Sequence, residues 1–322
     1  MLAGLSAALG AGLLWGLVFI VPLILPDYNG AMLAVGRYLA FGVLALALAR
    51  VDGAALKRLS RRDWIDAAKL ALVGNLLYYA ALASAIQLAG APVPTLIIGT
   101  LPVAIAITAK LTSPDAADQG LPWHRLALPL GVIGAGLVLV HAHADPAAAG
   151  GPRYWSGIGC AVLALACWTW YPVNNSRWLR GRPAGLARAW ATAQGLMTLP
   201  LALLALAGIG LWQFIDTGRI ALAGPRPGLF IGMMLVVGLL ASWLGTALWN
   251  RASHLLPAAL SGQLIVFETL AALAYAFLWY RRWPTLAEAG GIVALVAGVV
   301  LAVRAFRRPV RPGAELARSD GV

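Results

Sequence analysis

The sequence predicts an all-α integral membrane protein, about ten transmembrane helices arranged as two inverted five-helix repeats. Three observations carry that expectation. The chain has 322 residues, of which 61% are hydrophobic and only 11% charged, against about 25% charged in soluble domains; its mean hydropathy is +0.81. Apolar runs of membrane-crossing length, about 20 residues each, follow one another along most of the chain. The basic residues fall between these runs, where they orient helices, and no basic face with interleaved stacking aromatics accompanies the formal charge of +12, so nucleic acid is not an expected partner.

In order, the runs are 2–25, 31–50, 64–87, 92–111 and 125–142, then 154–174, 186–209, 228–250, 256–279 and 286–304. The first lacks the basic leader of a signal peptide, since no Lys or Arg precedes Arg37, and is read as a mature span. Connections at 112–124, 143–153 and 210–227 are rich in Gly, Pro and Asp, which is loop chemistry. The first repeat is assigned to residues 1–150, the second to 151–306, and a cytoplasmic tail to 307–322. Loop 51–62 and the segment after 304 are strongly basic, and loop 210–227 is not, which places both termini in the cytoplasm of a bacterial-type inner membrane. Arg37 is the exception. It lies well inside the second run and is expected to snorkel to the surface rather than face an acid inside the bundle.

The two cysteines, Cys160 and Cys167, share one apolar run, and the four histidines sit at loops or run ends. No CxxC motif or Cys/His cluster suggests a disulfide or a zinc site; the His141–His143 pair reads as a solvated loop. No metal and no cofactor is expected.

The ninth run, 256–279, holds the most informative residue. Glu268 lies near its middle, where a carboxylate costs about 3 kcal/mol or more unless it is paired, protonated or facing water. Ser261, Ile265, Glu268, Ala272 and Tyr275 fall on one helical face. Either that face lines a polar cavity, or Glu268 is a protonated structural link to a neighbouring helix. Other polar–aromatic stripes point the same way. The eighth run carries Ser242, Thr246, Trp249 and Ser253 at i, i+4, i+7 and i+11, with Trp243 and Asn250 flanking; the third carries Asn75, Tyr78 and Tyr79. Trp15, Trp168, Trp170, Trp190, Trp243 and Trp249 lie inside runs, whereas Trp64, Trp123, Trp155, Trp178, Trp212, Trp279 and Trp283 lie at run ends, as an interfacial belt predicts. The candidate solute-binding residues are therefore Trp15, Asn75, Tyr78, Tyr79, Trp168, Tyr171, Ser242, Thr246, Trp249, Asn250, Ser261 and Glu268. Aromatic walls with a few fixed polar groups suit an amphipathic small molecule with a flat apolar body and an amino or carboxyl group.

The halves echo each other. Residues 74–103 align without gaps on residues 241–270, setting Asn75 opposite Ser242, Tyr79 opposite Thr246, and Leu101-Pro102 opposite Glu268-Thr269. Five helices per half is an odd number, so the second half enters the membrane inverted, with a site at the interface of the repeats. The fifth and tenth runs, with Gly131, Gly134, Gly136, Gly290, Gly291 and Gly298, present small surfaces for scaffold packing or a homodimer contact, and Gly12-xxx-Gly16 has the same reading. Pro22, Pro94, Pro102 and Pro172 are candidate hinges.

Three motifs carry a family resemblance: Trp15-Gly16, the run Leu248-Trp249-Asn250-Arg251-Ala252, and Pro257-Ala258-Ala259 leading to Phe267-Glu268-Thr269. The chain resembles the EamA-type members of the drug/metabolite transporter superfamily over residues 3–305. Members usually show a Glu-Pro pair at the last motif, whereas Thr269 replaces the proline here. The resemblance implies an alternating-access exporter of amino acids or similar small metabolites, with protons as a second partner and the lipid bilayer as surroundings. The aromatic lining leans toward the branch of bacterial aromatic amino-acid exporters. A proton-coupled exporter of cationic drugs, with Glu268 binding the cation, is the alternative. An integral membrane enzyme would need a clustered nucleophile, acid/base or metal set, and none is found.

Overall fold

The structure, a computed structural model, describes residues 2–112, 124–142, 151–179, 182–183, 186–222, 224–255 and 266–307. All regular structure among them is helical. Helices α1 (Leu2–Ile24) and α2 (Gly30–Leu56) are followed by α3 (Arg61–Leu70), which runs through a π-helical segment, Ala71–Leu77, into α4 (Tyr78–Ala89). Then come α5 (Pro92–Gly99), α6 (Leu101–Thr112), α7 (His124–Ala142), α8 (Pro152–Leu179) and α9 (Leu186–Thr217). Helix α10 (Pro227–Val237) passes through a second π-helical segment, Gly238–Leu244, into α11 (Gly245–Leu255). Helices α12 (Val266–Tyr280) and α13 (Leu286–Arg307) end the described chain. Among the described residues six helices are long and apolar enough to cross a membrane, and shorter apolar helical stretches lie at Pro92–Ile105, Ala127–Gly136 and Leu286–Gly298.

Local chemistry sets the helix ends. Asn29 caps α2 by accepting the Met32 amide at 2.8 Å, and Ser60 with Asp63 forms a reciprocal capping box at the start of α3. Pro92 and Pro227 occupy first helical positions, where a missing N–H costs nothing. Gly90 and Gly218, at φ +76° and +69°, stop α4 and α9 in a conformation that other residues adopt only with strain. Two helices overrun their sequence-based limits. α2 continues through the expected loop to Leu56, because Asp52 turns inward and accepts the Thr192 hydroxyl at 2.6 Å. α9 continues to Thr217, as the apolar pattern of Leu211, Trp212, Phe214 and Ile215 extends the helix until Gly218. The ninth run is helical from Val266; its first part, with the Pro257 entry and Ser261, lies outside the described residues.

Packing pairs early helices with late ones: α2 lies along α9, α4 against α8, α1 against α11 and α12, and α7 against α13. Small residues permit these approaches. A Cβ on Gly12 or Gly16 would press on Phe267 or Ala271 of α12, so the Gly12-xxx-Gly16 face is used inside the chain rather than for a dimer. Gly136 and Gly298 hold α7 against α13 in the same way, while Gly131 and Gly134 face open space. The register that sets Asn75 opposite Ser242 carries Ala71–Leu77 onto Gly238–Leu244 residue for residue, so the two π segments coincide in that register.

Candidate functional site

Where these helices meet, a cavity of about 510 Å³ is lined by α1, α2, the two π segments, α4, α8, α9, α11 and α12, within the range of small-molecule sites. Of the twelve residues proposed from sequence, eight line it: Trp15, Asn75, Tyr78, Trp168, Tyr171, Ser242, Thr246 and Glu268. A wider turn re-aims its side chains, and both π segments deliver residues to the cavity, Asn75 from one and Ala241, Ser242 and Trp243 from the other. Trp15 donates its indole N–H to the Ala241 carbonyl at 2.9 Å.

One wall is aromatic. Tyr78 stacks on Trp168 with centroids 4.7 Å apart and planes 17° from parallel, and Trp168 stacks on Tyr171 at 5.2 Å and 9°. Tyr171 is fixed further by donating its hydroxyl to the Gln194 carbonyl oxygen at 2.9 Å, while the Gln194 amide donates to Asn175 at 3.1 Å. Gly74 faces the Tyr171 ring so closely that a Cβ there would lie 2.1 Å from the ring.

Arg37 departs from the sequence-based expectation and does not snorkel. It is 6% exposed, lines the cavity, and donates its Nε–H to the Ser242 hydroxyl at 3.1 Å. Its guanidinium lies over the rings of Tyr79 and Tyr38, 4.6 and 5.1 Å from their centroids, contacts that replace part of the lost hydration. Glu268, 5% exposed, lines the same cavity within electrostatic reach of Arg37, but no ion pair within 4.0 Å joins them among the described residues. Asp52, with Thr192, lies at the far end of the cavity. Arg37, Tyr38, Phe41, Ala45, Leu48 and Asp52 form one stripe along α2, so the cavity extends over roughly 22 Å at 1.5 Å per residue.

The two ends differ. Toward Asp52 the cavity reaches the exposed Val51. Beyond Arg37 the opposite end is tied shut. Tyr28 stacks on Phe230 at 4.4 Å and accepts the Arg226 amide at 3.1 Å; Arg226 pairs with Asp27; and Gln87 donates to the Tyr28 carbonyl at 2.8 Å.

The remaining sequence-based candidates are placed elsewhere or not described. Tyr79 is fully buried beside the cavity, and its hydroxyl donates to the Val18 carbonyl at 3.2 Å. Trp249 tilts against Trp15 with centroids 5.4 Å apart and packs near Ala7, Ala8 and Ala252. It supports the wall without forming it. The side chain of Asn250 and all of Ser261 lie outside the described residues. Trp178, placed in the interfacial belt from sequence, is instead buried: it stacks on Trp190 at 3.6 Å and donates to Asp63 at 2.8 Å, which also accepts Arg182 at 2.9 Å.

Over 317 residues the chain is 46% identical to the inner membrane protein YtfF of Escherichia coli (strain K12), covering 97% of this chain and 98% of that protein. The chain belongs to the YtfF family. This YtfF-family chain is thus a multi-pass inner membrane protein, in keeping with its apolar helices. No family model matches it. A crystal structure of a protein 17% identical superposes with a TM-score of 0.60, covering 95% of this chain and 98% of the other; the likeness concerns the fold.

Proposed function

We propose that this protein is a carrier that exports amphipathic small metabolites, aromatic amino acids foremost, by alternating access. The cavity carries the proposal: a space of about 510 Å³ with a cation, two acids and a stacked aromatic wall, reaching an exposed end on one side and tied shut on the other. The resemblance to EamA-type transporters points the same way. The chain's two five-helix halves, residues 1–150 and 151–306, are related as inverted repeats, and the coinciding π segments and the pairing of early with late helices support that relation. A central site between two such halves is what inverted-repeat carriers use. With the termini in the cytoplasm, as the basic loops favour, the Asp52 end faces inward and the state described is inward-facing.

A second reading has its own support. Glu268 is a buried acid of the cavity wall that makes no ion pair among the described residues, and such an acid favours a proton-coupled exporter of cationic drugs. Proteoliposomes separate the two. Loaded with L-phenylalanine, they are expected to release it several-fold faster than protein-free vesicles, and tetraethylammonium no faster than the control. Release of tetraethylammonium with no release of phenylalanine replaces the first reading with the second. Release of neither class overturns both, and outside-only labelling of a cysteine at position 60 overturns the orientation.

A further inference from the structure

We propose that Arg37 is the carboxylate-binding group of the cavity, so that the protein selects solutes joining one carboxylate to a flat apolar body. The inference rests on the carrier reading and deepens it by naming the chemistry the site recognises.

A guanidinium presents five N–H donors and stays charged at any physiological pH. In this protein the Nε–H goes to Ser242, and two tyrosine rings take up the cationic faces. Nη1, although buried, has no hydrogen-bond acceptor among the described residues. The side chain is 6% exposed and belongs to the cavity lining. Burying an arginine donor without an acceptor is costly, so a site that keeps one is built to receive an acceptor. Glu268 lines the same cavity, and no ion pair joins it to Arg37 among the described residues.

The surroundings narrow the acceptor. A carboxylate matches the planar fork of arginine and brings the close counter-charge that Arg37 lacks among the described residues. Behind it, the Tyr78–Trp168–Tyr171 stack offers flat apolar faces to the body of the solute. Glu268 offers an acceptor for an amine if the solute has one. The carboxylate is therefore the required group, the ring improves the fit, and the amine is optional.

Ligand pairs that differ in one group test this on purified wild-type protein, by calorimetry or by quenching of its tryptophan fluorescence. L-Phenylalanine and 3-phenylpropionate are expected to bind, and phenylalaninamide and 3-phenylpropionamide to bind roughly tenfold more weakly or not at all. This comparison needs no variant, so it stands even if changes at Arg37 impair folding. Arg37→Gln is expected to erase the preference for the acid over its amide, and Arg37→Lys to restore part of it, as charge without the fork geometry. Equal binding of each acid and its amide by the wild type overturns the assignment, as does a full preference kept by a folded Arg37→Gln. Binding of none of the four by folded wild type also overturns it. Release of L-phenylalanine from proteoliposomes, measured in parallel, keeps the outcomes apart: release without an acid preference removes the role of Arg37 and leaves the carrier reading in place.

Discussion

Glu268→Gln is expected to reach the membrane folded and to transport roughly tenfold less solute or worse, a loss of about 1.4 kcal/mol or more. Glutamine keeps the volume of the side chain and its capacity to hydrogen-bond, and removes only the ability to ionise. The position is 5% exposed, lines the cavity, and lies within electrostatic reach of Arg37. A buried acid of this kind can act by charge, as an acceptor for a solute amine or a proton, or can serve as a neutral link between helices. The two roles separate cleanly. If the acid acts by charge, the glutamine variant is stable and inactive. If it is a structural link, glutamine transports almost normally and Glu268→Ala loses stability instead. Thermal stability in detergent, read beside uptake, decides between them.

Gly74→Val is expected to lower stability by about 1–3 kcal/mol and to abolish solute binding, because overpacking at this position has no cheap outlet. A Cβ on Gly74 would lie 2.1, 2.6 and 2.9 Å from three atoms of Tyr171, the last of them its own Cβ. The ring cannot swing aside without leaving its stack on Trp168 and its hydrogen bond to Gln194. The added side chain therefore pushes the aromatic wall into the cavity. A matched change at Gly53, where a Cβ meets nothing within 4 Å, controls for the loss of glycine. Equal stability and binding in the two variants would show that the wall is not set by this contact.

Much of the site was legible in the chain because its residues stand out against an apolar background. Glu268, Asn75, Ser242 and Thr246 are polar groups deep in membrane-length runs, and Trp15, Tyr78, Trp168 and Tyr171 are interior aromatics beside them; all line the cavity. The register drawn between residues 74–103 and 241–270, continued three residues back, sets the two π segments opposite each other, though nothing in it marks them as π-helical. Nothing in the composition of ALVGNLL or GLLASWL announces a wider turn.

Arg37 was misplaced for a physical reason. Snorkelling is decided by distance to the surface, whereas what holds this guanidinium inside is a hydroxyl 205 residues away and the ring of Tyr79 from α4. Asp52 was placed in the loop 51–62 because the apolar run ends at 50; in the structure it lies within the second helix and accepts the hydroxyl of Thr192, 140 residues away. Trp178 looked interfacial by position, yet Asp63 and Trp190 draw it into the protein. Tyr79 and Trp249 carry the right chemistry on neighbouring faces. A turn of the helix, not residue type, takes them off the cavity wall.

The claim that a central cavity alternates between the two sides of the membrane is tested most directly by counterflow. Proteoliposomes are loaded with millimolar unlabelled L-phenylalanine and diluted into a trace of the labelled compound. A carrier exchanges one for the other through a single site that faces each side in turn, so label is expected to accumulate inside above its outer concentration and then decay. Vesicles bearing Glu268→Gln should show no such overshoot. Equilibration of label by the wild type, with no overshoot at any loading, would mean a pore open to both sides and would contradict the alternating cavity.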